Sequence, residues 1–194
     1  MDRLLQWARF MARAGAWFGG GLVLLAAFVI SIDVLMRKLF DTTLGGASEI
    51  SGYVLAISTT WSLALALIDR AHVRIDSLYA LLPTRICALL DILALLSFMV
   101  FSGILTWEGW GLFAQSLSLN SHSLTPLATP IAIPQFLWVA GFAFFFAVMF
   151  LLLARALLAL ATGDINEVRR LLGSRTALQE LEEAIREHEQ YKNA

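Results

Sequence analysis

The residues best suited to chemistry lie together in one short segment, 69–76, which reads Asp-Arg-Ala-His-Val-Arg-Ile-Asp. Five of its eight residues can carry charge, whereas residues 50–68 before it carry none. Because charged groups are costly in hydrocarbon, this segment must lie in water or among lipid headgroups. His72 titrates near neutral pH and could therefore sense pH, although a capping or headgroup contact is the simpler interpretation.

The other charged residues of this segment have simple structural interpretations beside functional ones. Arg70 and Arg74, helped by Arg85, would hold the segment on the cytoplasmic side of a membrane, since cytoplasmic loops are enriched in Lys and Arg. The two arginines are either signals of this orientation or contacts to a partner subunit. Asp76 could simply cap the short segment that leads to Pro83.

Four further acidic residues fall near the ends of long apolar runs, namely Asp33, Glu49, Asp91 and Glu108. Asp33 and Arg37 are four residues apart and therefore lie on the same face of a helix. A carboxylate near a membrane is costly unless it is paired, so these two residues are predicted to form a structural ion pair rather than a transport site.

No constellation of residues points to an enzyme or a cofactor. The three histidines, His72, His122 and His188, fall in loops or in the tail, so no two of them can bracket a haem between spans. Combinations typical of hydrolases, zinc proteases and phosphate-binding loops are missing. Cys87 is the only cysteine, which excludes an internal disulfide and a cysteine-only metal cluster. The sequence therefore predicts no catalytic residue, no cofactor and no metal.

The composition is that of a polytopic membrane protein. Hydrophobic residues make up 59% of the 194 residues, charged residues only 15%, and the mean hydropathy is +0.74. Soluble domains are about 45–50% apolar and about 25% charged. All fourteen Lys and Arg lie outside 39–69 and 86–154. This segregation suits a bilayer and gives no basic patch for nucleic acid.

An all-α membrane domain over residues 14–160 follows from the apolar runs, each close to the ~20 residues that cross a bilayer. Its four transmembrane helices are predicted at about 14–36, 48–68, 85–108 and 131–160. Residues 1–13 are either an N-terminal interfacial helix or a positively charged flank. Residues 161–194 form a cytoplasmic tail with an amphipathic helix that could dock on a partner. Ser48 is predicted to cap the second span, with Glu49 in its first turn.

The region between the third and fourth spans is unusual because residues 109–154 contain no charge. Pro126, Pro130 and Pro134 interrupt it, and prolines at this spacing break a regular helix. We therefore expect a helical extension followed by an irregular non-cytoplasmic loop over 109–130. Tryptophans flank this loop as interfacial anchors would, at positions Trp107, Trp110 and Trp138.

The distribution of positive charge predicts the orientation. With both termini and the 69–85 loop in the cytoplasm, twelve of the Lys and Arg lie inside, and Arg37 and Lys38 alone lie outside. At the start of the tail, Asp164 and Glu167 have the spacing of a capping box, and Thr176 and Gln179 repeat it.

The order of several short motifs resembles the small, DctQ-type membrane subunit of the tripartite ATP-independent periplasmic (TRAP) transporters. The likeness covers roughly residues 14–160. It is carried by Asp33-x-x-x-Arg37-x-x-Phe40, Gly46-x-Ser48-Glu49-Ile50, Arg70-x-His72-Val73-Arg74-Ile75-Asp76 with Leu82-Pro83, and Ile133-Pro134. Ile50 follows Glu49 where members often have a second acid, which weakens any idea of an acidic pair there.

The resemblance implies a bacterial inner-membrane scaffold that binds a large multi-span permease subunit. That partner would carry the sodium and substrate sites and would receive organic acids from a periplasmic substrate-binding protein. Seven residues would then serve packing, orientation and subunit contact: Asp33, Arg37, Glu49, Arg70, His72, Arg74 and Asp76.

Two other functions remain open at the level of the sequence. A membrane-anchor subunit of a redox complex would show haem absorbance, although the placement of the histidines argues against it. A small self-contained carrier would transport on its own in liposomes, and it would draw attention to Asp33, Glu49 and Asp91 as ion sites.

Overall fold

A computed structural model describes residues 2–70 and 82–173, and the described chain is built from helices and the loops that join them. The helices are α1 (Asp2–Phe40), α2 (Ala47–Ile68), α3 (Thr84–Ser118), α4 (Ala132–Ala161) and the short α5 (Ile165–Leu172). The first four are long and apolar enough to cross a membrane. The prediction of an all-α protein with four transmembrane helices is therefore confirmed.

Helix α1 is continuous over 39 residues, which corresponds to about 58 Å at the rise of an α-helix. The boundary predicted at residue 13 does not appear as a break in this helix. Ala8 and Ala12 are buried in the same hydrophobic cluster as Ala64 and Ile68 of α2. The buried side of residues 2–13 thus continues the buried side of the membrane span, and these residues pack on the bundle as part of α1.

Helix α2 begins one residue earlier than expected, and Ser48 is not its cap. Gly46 takes the N-cap position without any side-chain capping bond, and Ser48 lies inside the first turn. A side chain at Gly46 would overlap Leu127 of a distant loop, so the N-cap position of this helix is closely packed. Glu49 lies in the first turn, as predicted.

Helix α3 follows Pro83 and runs ten residues past Glu108, to Ser118. Residues 119–131 are then irregular, and Asn120 and Ala128 adopt positive φ angles of 47° and 44°. Helix α4 accommodates Pro134 in its first turn, where a missing N–H removes no intrahelical hydrogen bond. A helical extension and an irregular loop thus separate the third and fourth spans.

The four long helices pack in the order α1, α2, α4, α3, with α5 lying against α3 and α4 at one end. Small residues bring the neighbours close, as at Gly19, whose carbonyl accepts a hydrogen bond from the Ser58 hydroxyl at 2.9 Å. Gly141 similarly lies against Thr60. This order leaves α1 and α3 at the two edges, so the chain forms a row of helices with broad apolar faces.

The apolar faces are covered with large exposed side chains, as expected where lipid or another membrane protein is the neighbour. Among the most exposed are Trp17, Leu24, Phe28, Phe40, Leu55, Val100, Trp107 and Leu117.

Candidate functional site at the Glu49 end of the helix row

Asp33 organises the turn between α1 and α2. The residue is only 3% exposed, and its side chain forms the predicted ion pair with Arg37. One of its oxygens also accepts hydrogen bonds from the Thr43 hydroxyl at 2.8 Å and from the Leu44 backbone N–H at 2.7 Å. Both oxygens of Asp33 therefore accept hydrogen bonds from groups of the same chain.

Glu49 connects the start of α2 to the loop 119–131. The Tyr53 hydroxyl donates to Glu49 Oε1 at 2.8 Å, and the Thr125 hydroxyl donates to Oε2. Thr125 lies 76 residues further along the chain. A single carboxylate therefore joins two segments that are far apart in sequence.

The loop 119–131 has an internal frame that presents Thr125 to Glu49. The Ser123 hydroxyl lies 3.1 Å from the Thr125 hydroxyl and accepts a hydrogen bond from the Thr129 backbone N–H at 3.2 Å. The Ser123 backbone N–H donates to the Thr129 carbonyl at 2.9 Å. These bonds close a small ring in the loop, so the hydroxyl that meets Glu49 is held in place.

Two glycines let this loop approach the α1–α2 turn closely. Gly45 has a φ of +71°, which favours glycine, and a Cβ there would lie 3.5 Å from Pro126. A Cβ on Gly46 would overlap the side chain of Leu127. The packing of Pro126 and Leu127 on these glycines and the Glu49 bonds thus hold the two loops against each other. We refer to this region, residues 33–49 with 119–134, as the Glu49 end.

The polar side chains at the Glu49 end hold the α1–α2 turn and the loop 119–131 in position. The two buried or half-buried carboxylates of this end are bound by donors from the same chain, and the His122 ring lies 2.7 Å from the Asn120 carbonyl. Within residues 2–70 and 82–173, no group of three His, Cys, Asp or Glu side chains could hold a metal ion. Nothing in this geometry aligns a nucleophile with a base.

The opposite end, which we call the Arg155 end, is held by ion pairs. Arg155 donates from Nε and Nη2 to Glu167 Oε1 at 3.1 and 3.0 Å, and Arg9 lies 3.8 Å from Asp69. The predicted cap at Asp164 is present, because its side chain accepts from the Glu167 backbone N–H at 3.0 Å. Helix α5 is thereby fixed beneath α3 and α4.

The structure describes four of the seven predicted residues and places them at two different ends of the helix row. Asp33, Arg37 and Glu49 lie together at the Glu49 end. Arg70 lies at the other end, where its Nη1 reaches the Gly173 carbonyl at 3.5 Å. The rest of the charged loop, with His72, Arg74 and Asp76, lies outside the described residues. The Thr176 and Gln179 pair and the tail helix lie outside them as well.

Sequence reasoning missed the partner of Glu49. The spacing of Glu49 and Tyr53, four residues apart on one helix, was a usable signal for their bond. Thr125 gave no such signal, because its place depends on how the loop 119–131 folds back. The close approach at Gly46 also depends on that loop.

A known protein family matches the part of the chain that contains most of the helix row. Residues 26–161 match the family model described as "Tripartite ATP-independent periplasmic transporters, DctQ component". The match includes more than half of the chain, and both Asp33 and Glu49 lie inside it. No curated protein and no solved structure matches the chain. The chain therefore belongs to the DctQ family, and it is a transport subunit, not an enzyme.

Proposed function

We propose that this chain is the scaffold of a TRAP transporter, binding the large sodium-coupled permease subunit that takes up organic acids. A periplasmic binding protein would deliver the substrate to that large subunit. The family establishes a small subunit of a TRAP transporter in general. Sodium coupling, the class of substrate and the scaffolding role are our proposal.

The engagement of the acidic side chains within the chain itself supports a scaffold over a carrier. Asp33 and Glu49 are occupied by donors that hold two loops. Asp91 is 1% exposed and also has an interaction partner. A carrier needs polar groups near the membrane midplane that substrate or ions can reach. The broad faces of the row are instead apolar, which suits packing against another membrane protein.

We further propose that both termini and the Arg155 end face the cytoplasm. Arg9, Arg70 and Arg155 belong to this end, whereas Arg37 and Lys38 belong to the Glu49 end. The positive-inside rule supports this orientation. The Glu49 end would then lie on the periplasmic side, where a binding protein delivers its substrate.

Co-purification tests the proposed function directly. The chain would be tagged at its C-terminus, produced with its genomic neighbours and extracted gently from native membranes. We expect a large hydrophobic protein of a dozen or so spans in stoichiometric amount. A chain that is recovered alone, and that transports by itself in liposomes, would overturn the scaffold in favour of a carrier.

The charged loop provides a sharper version of this test. Exchanging Arg70 and Arg74 together for Glu should reduce co-purification of the large subunit if they contact it. The matched control exchanges Arg169 and Arg170 for Glu, since these are exposed arginines on α5 at the same end. Equal yields of the complex from both double variants would remove the interface role from the loop.

A further inference from the structure

We propose that the C-terminal tail of this chain, residues 174–194, docks on one exposed face of the N-terminal part of α1. The face, which we call the arginine face, comprises Arg3, Gln6, Trp7, Phe10 and Arg13, all of which are exposed. The tail itself lies outside the described residues. This inference goes beyond the proposed function and does not depend on the large subunit.

The arginine face lies on the side of α1 that points away from the other helices. Ala8 and Ala12 are buried in the hydrophobic cluster that α1 shares with α2. Because successive residues turn by about 100° around an α-helix, Trp7 and Phe10 point away from that buried side. The two rings are 64% and 69% exposed. The described chain therefore leaves most of both rings uncovered.

The spacing of the arginines shows that lipid headgroups alone cannot cover this face. Arg3 and Arg13 are ten residues apart, which is about 15 Å along the helix. A headgroup layer is only roughly 5–8 Å thick. Helix α1 is continuous with its membrane span and packs along α2, so it stands steeply in the bilayer. Since arginine is also costly in hydrocarbon, part of the face lies in water.

Contacts at the Arg155 end place the start of the tail near the arginine face. Gly173 is the last described residue, and its carbonyl lies 3.5 Å from Nη1 of Arg70. The preceding residue, Asp69, lies 3.8 Å from Arg9 of α1. The 21 residues after Gly173 would form a helix about 32 Å long, twice the length of the face. A segment tethered this close competes well with separate molecules.

The charges of the tail and of the N-terminal part of α1 are complementary. Residues 174–194 contain five glutamates against three Lys and Arg, whereas residues 2–13 contain three arginines against one aspartate. Arg9 is paired with Asp69. Within residues 2–70 and 82–173, Arg3 and Arg13 form no ion pair. These two arginines are therefore available to carboxylates of the tail.

The tail also carries an apolar stripe that suits the two exposed rings. Leu178, Leu181 and Ile185 recur at the spacing of one side of a helix. Glutamates border this stripe on both sides, Glu180 and Glu187 on one and Glu182 and Glu189 on the other. A helix of this kind would place its apolar side on Trp7 and Phe10 while its carboxylates reach the arginines. Amphipathic helices bind apolar surfaces in this way.

Photo-crosslinking in native membranes tests the proposal. A benzophenone amino acid would replace Trp7, and the control would carry it at Trp17, which is 79% exposed on α1 but lies within the uncharged run. We expect position 7 to link to a tail peptide in a product with the mass of one chain, and position 17 to give no such link. Adducts of position 7 with phospholipid, the large subunit or a second copy, and none with the tail, would overturn the docking.

Two double variants test the same contact through its charges. Arg3→Gln with Arg13→Gln should speed cleavage of the tail by a glutamate-specific protease about fivefold, because the docked state loses two ion pairs. The matched control is Arg169→Gln with Arg170→Gln, which removes the same charge from exposed positions on α5. It should leave the cleavage rate unchanged. Circular dichroism checks that both variants retain their helices.

Equal cleavage rates in the two double variants would place the tail elsewhere and contradict the proposal. These results are independent of the scaffold function, since purified chain without any large subunit suffices for the protease assay. A tail that links to Trp7 in a chain that brings down no large subunit would uphold this inference while the scaffold fails.

Discussion

The two ends of the helix row are held by different kinds of interaction. At the Glu49 end, carboxylates accept hydrogen bonds largely from hydroxyl and backbone groups, and the Glu49 bond to Thr125 joins residues 76 apart in sequence. At the Arg155 end, carboxylates pair with arginines, and Glu167 lies only 12 residues from Arg155. The first arrangement fixes the relative position of distant loops. The second secures a short helix to its neighbours and pairs α1 with the end of α2 through Arg9 and Asp69.

The two arrangements should respond differently to perturbation. Directional bonds to a carboxylate shielded from water are costly to lose, because the donors left behind have no partner. Partly exposed ion pairs contribute little and are screened by salt. Substitutions at the Glu49 end should therefore lower the melting temperature more than a substitution at the Arg155 end. Four variants measure this difference.

The largest effect is expected from Asp33→Asn, because the new amide would place a donor among three existing donors. The melting temperature of the purified protein should fall by about 6 °C. Asp41→Asn is the control, since Asp41 is exposed in the same turn and Asn also tolerates its positive φ of 52°. A similar loss in both variants would show that the turn does not depend on Asp33.

Glu49→Gln should have the next largest effect, lowering the melting temperature by about 4 °C and exposing the loop 119–131 to protease. The amide retains one acceptor oxygen, so one of the two hydroxyl bonds survives. Glu108→Gln makes the same chemical change at an exposed position and should leave both measurements unchanged. A loop that resists protease equally in both variants would contradict the role of Glu49.

Two glycine substitutions should differ in their effect on the melting temperature. Gly46→Ala forces Leu127 aside and should lower the melting temperature by about 3 °C. Gly20→Ala adds a methyl group to α1 where no atom lies within 4 Å, and alanine is the better helix former. It should leave the melting temperature unchanged or raise it. Thermal unfolding in detergent measures both, and a fall with Gly20→Ala alone would reverse the interpretation.

The smallest effect is expected at the Arg155 end. Glu167→Gln removes the ion pair with Arg155, whose side chains are 17% and 28% exposed, and should lower the melting temperature by about 2 °C or less. The difference from wild type should shrink in high salt. The Glu49→Gln difference should persist there, since its hydrogen bonds come from uncharged donors. Equal salt dependence of the two would remove the distinction between the ends.

Local patterns in the sequence predicted local structure well. Four apolar runs predicted four membrane helices, and i,i+4 spacing predicted the bond between Asp33 and Arg37. The prolines predicted the interruption between α3 and α4, and the Asp164 cap was predicted from its spacing to Glu167. Each of these depends on residues within a few turns of one another, where geometry follows directly from helical periodicity.

Features that depend on distant segments were not predictable. The sequence favours Ser48 as the cap on local chemistry, but Gly46 takes the N-cap position, and Leu127 of a distant loop packs against it. The bond from Thr125 to Glu49 likewise requires the folded loop. The roles proposed for His72, Arg74 and Asp76 stay predictions, because they lie outside the described residues.

The order of the helices in the row also has a consequence for folding. Consecutive helices form two antiparallel hairpins, α1 with α2 and α3 with α4, and the main contact between them is the seam of α2 with α4. Trp61 Nε1 donates a hydrogen bond across this seam to the Leu137 carbonyl at 3.0 Å, and the loop before α4 bonds to the start of α2 through Thr125 and Glu49. Because local contacts form faster than distant ones, we expect each hairpin to assemble first and the seam to close last.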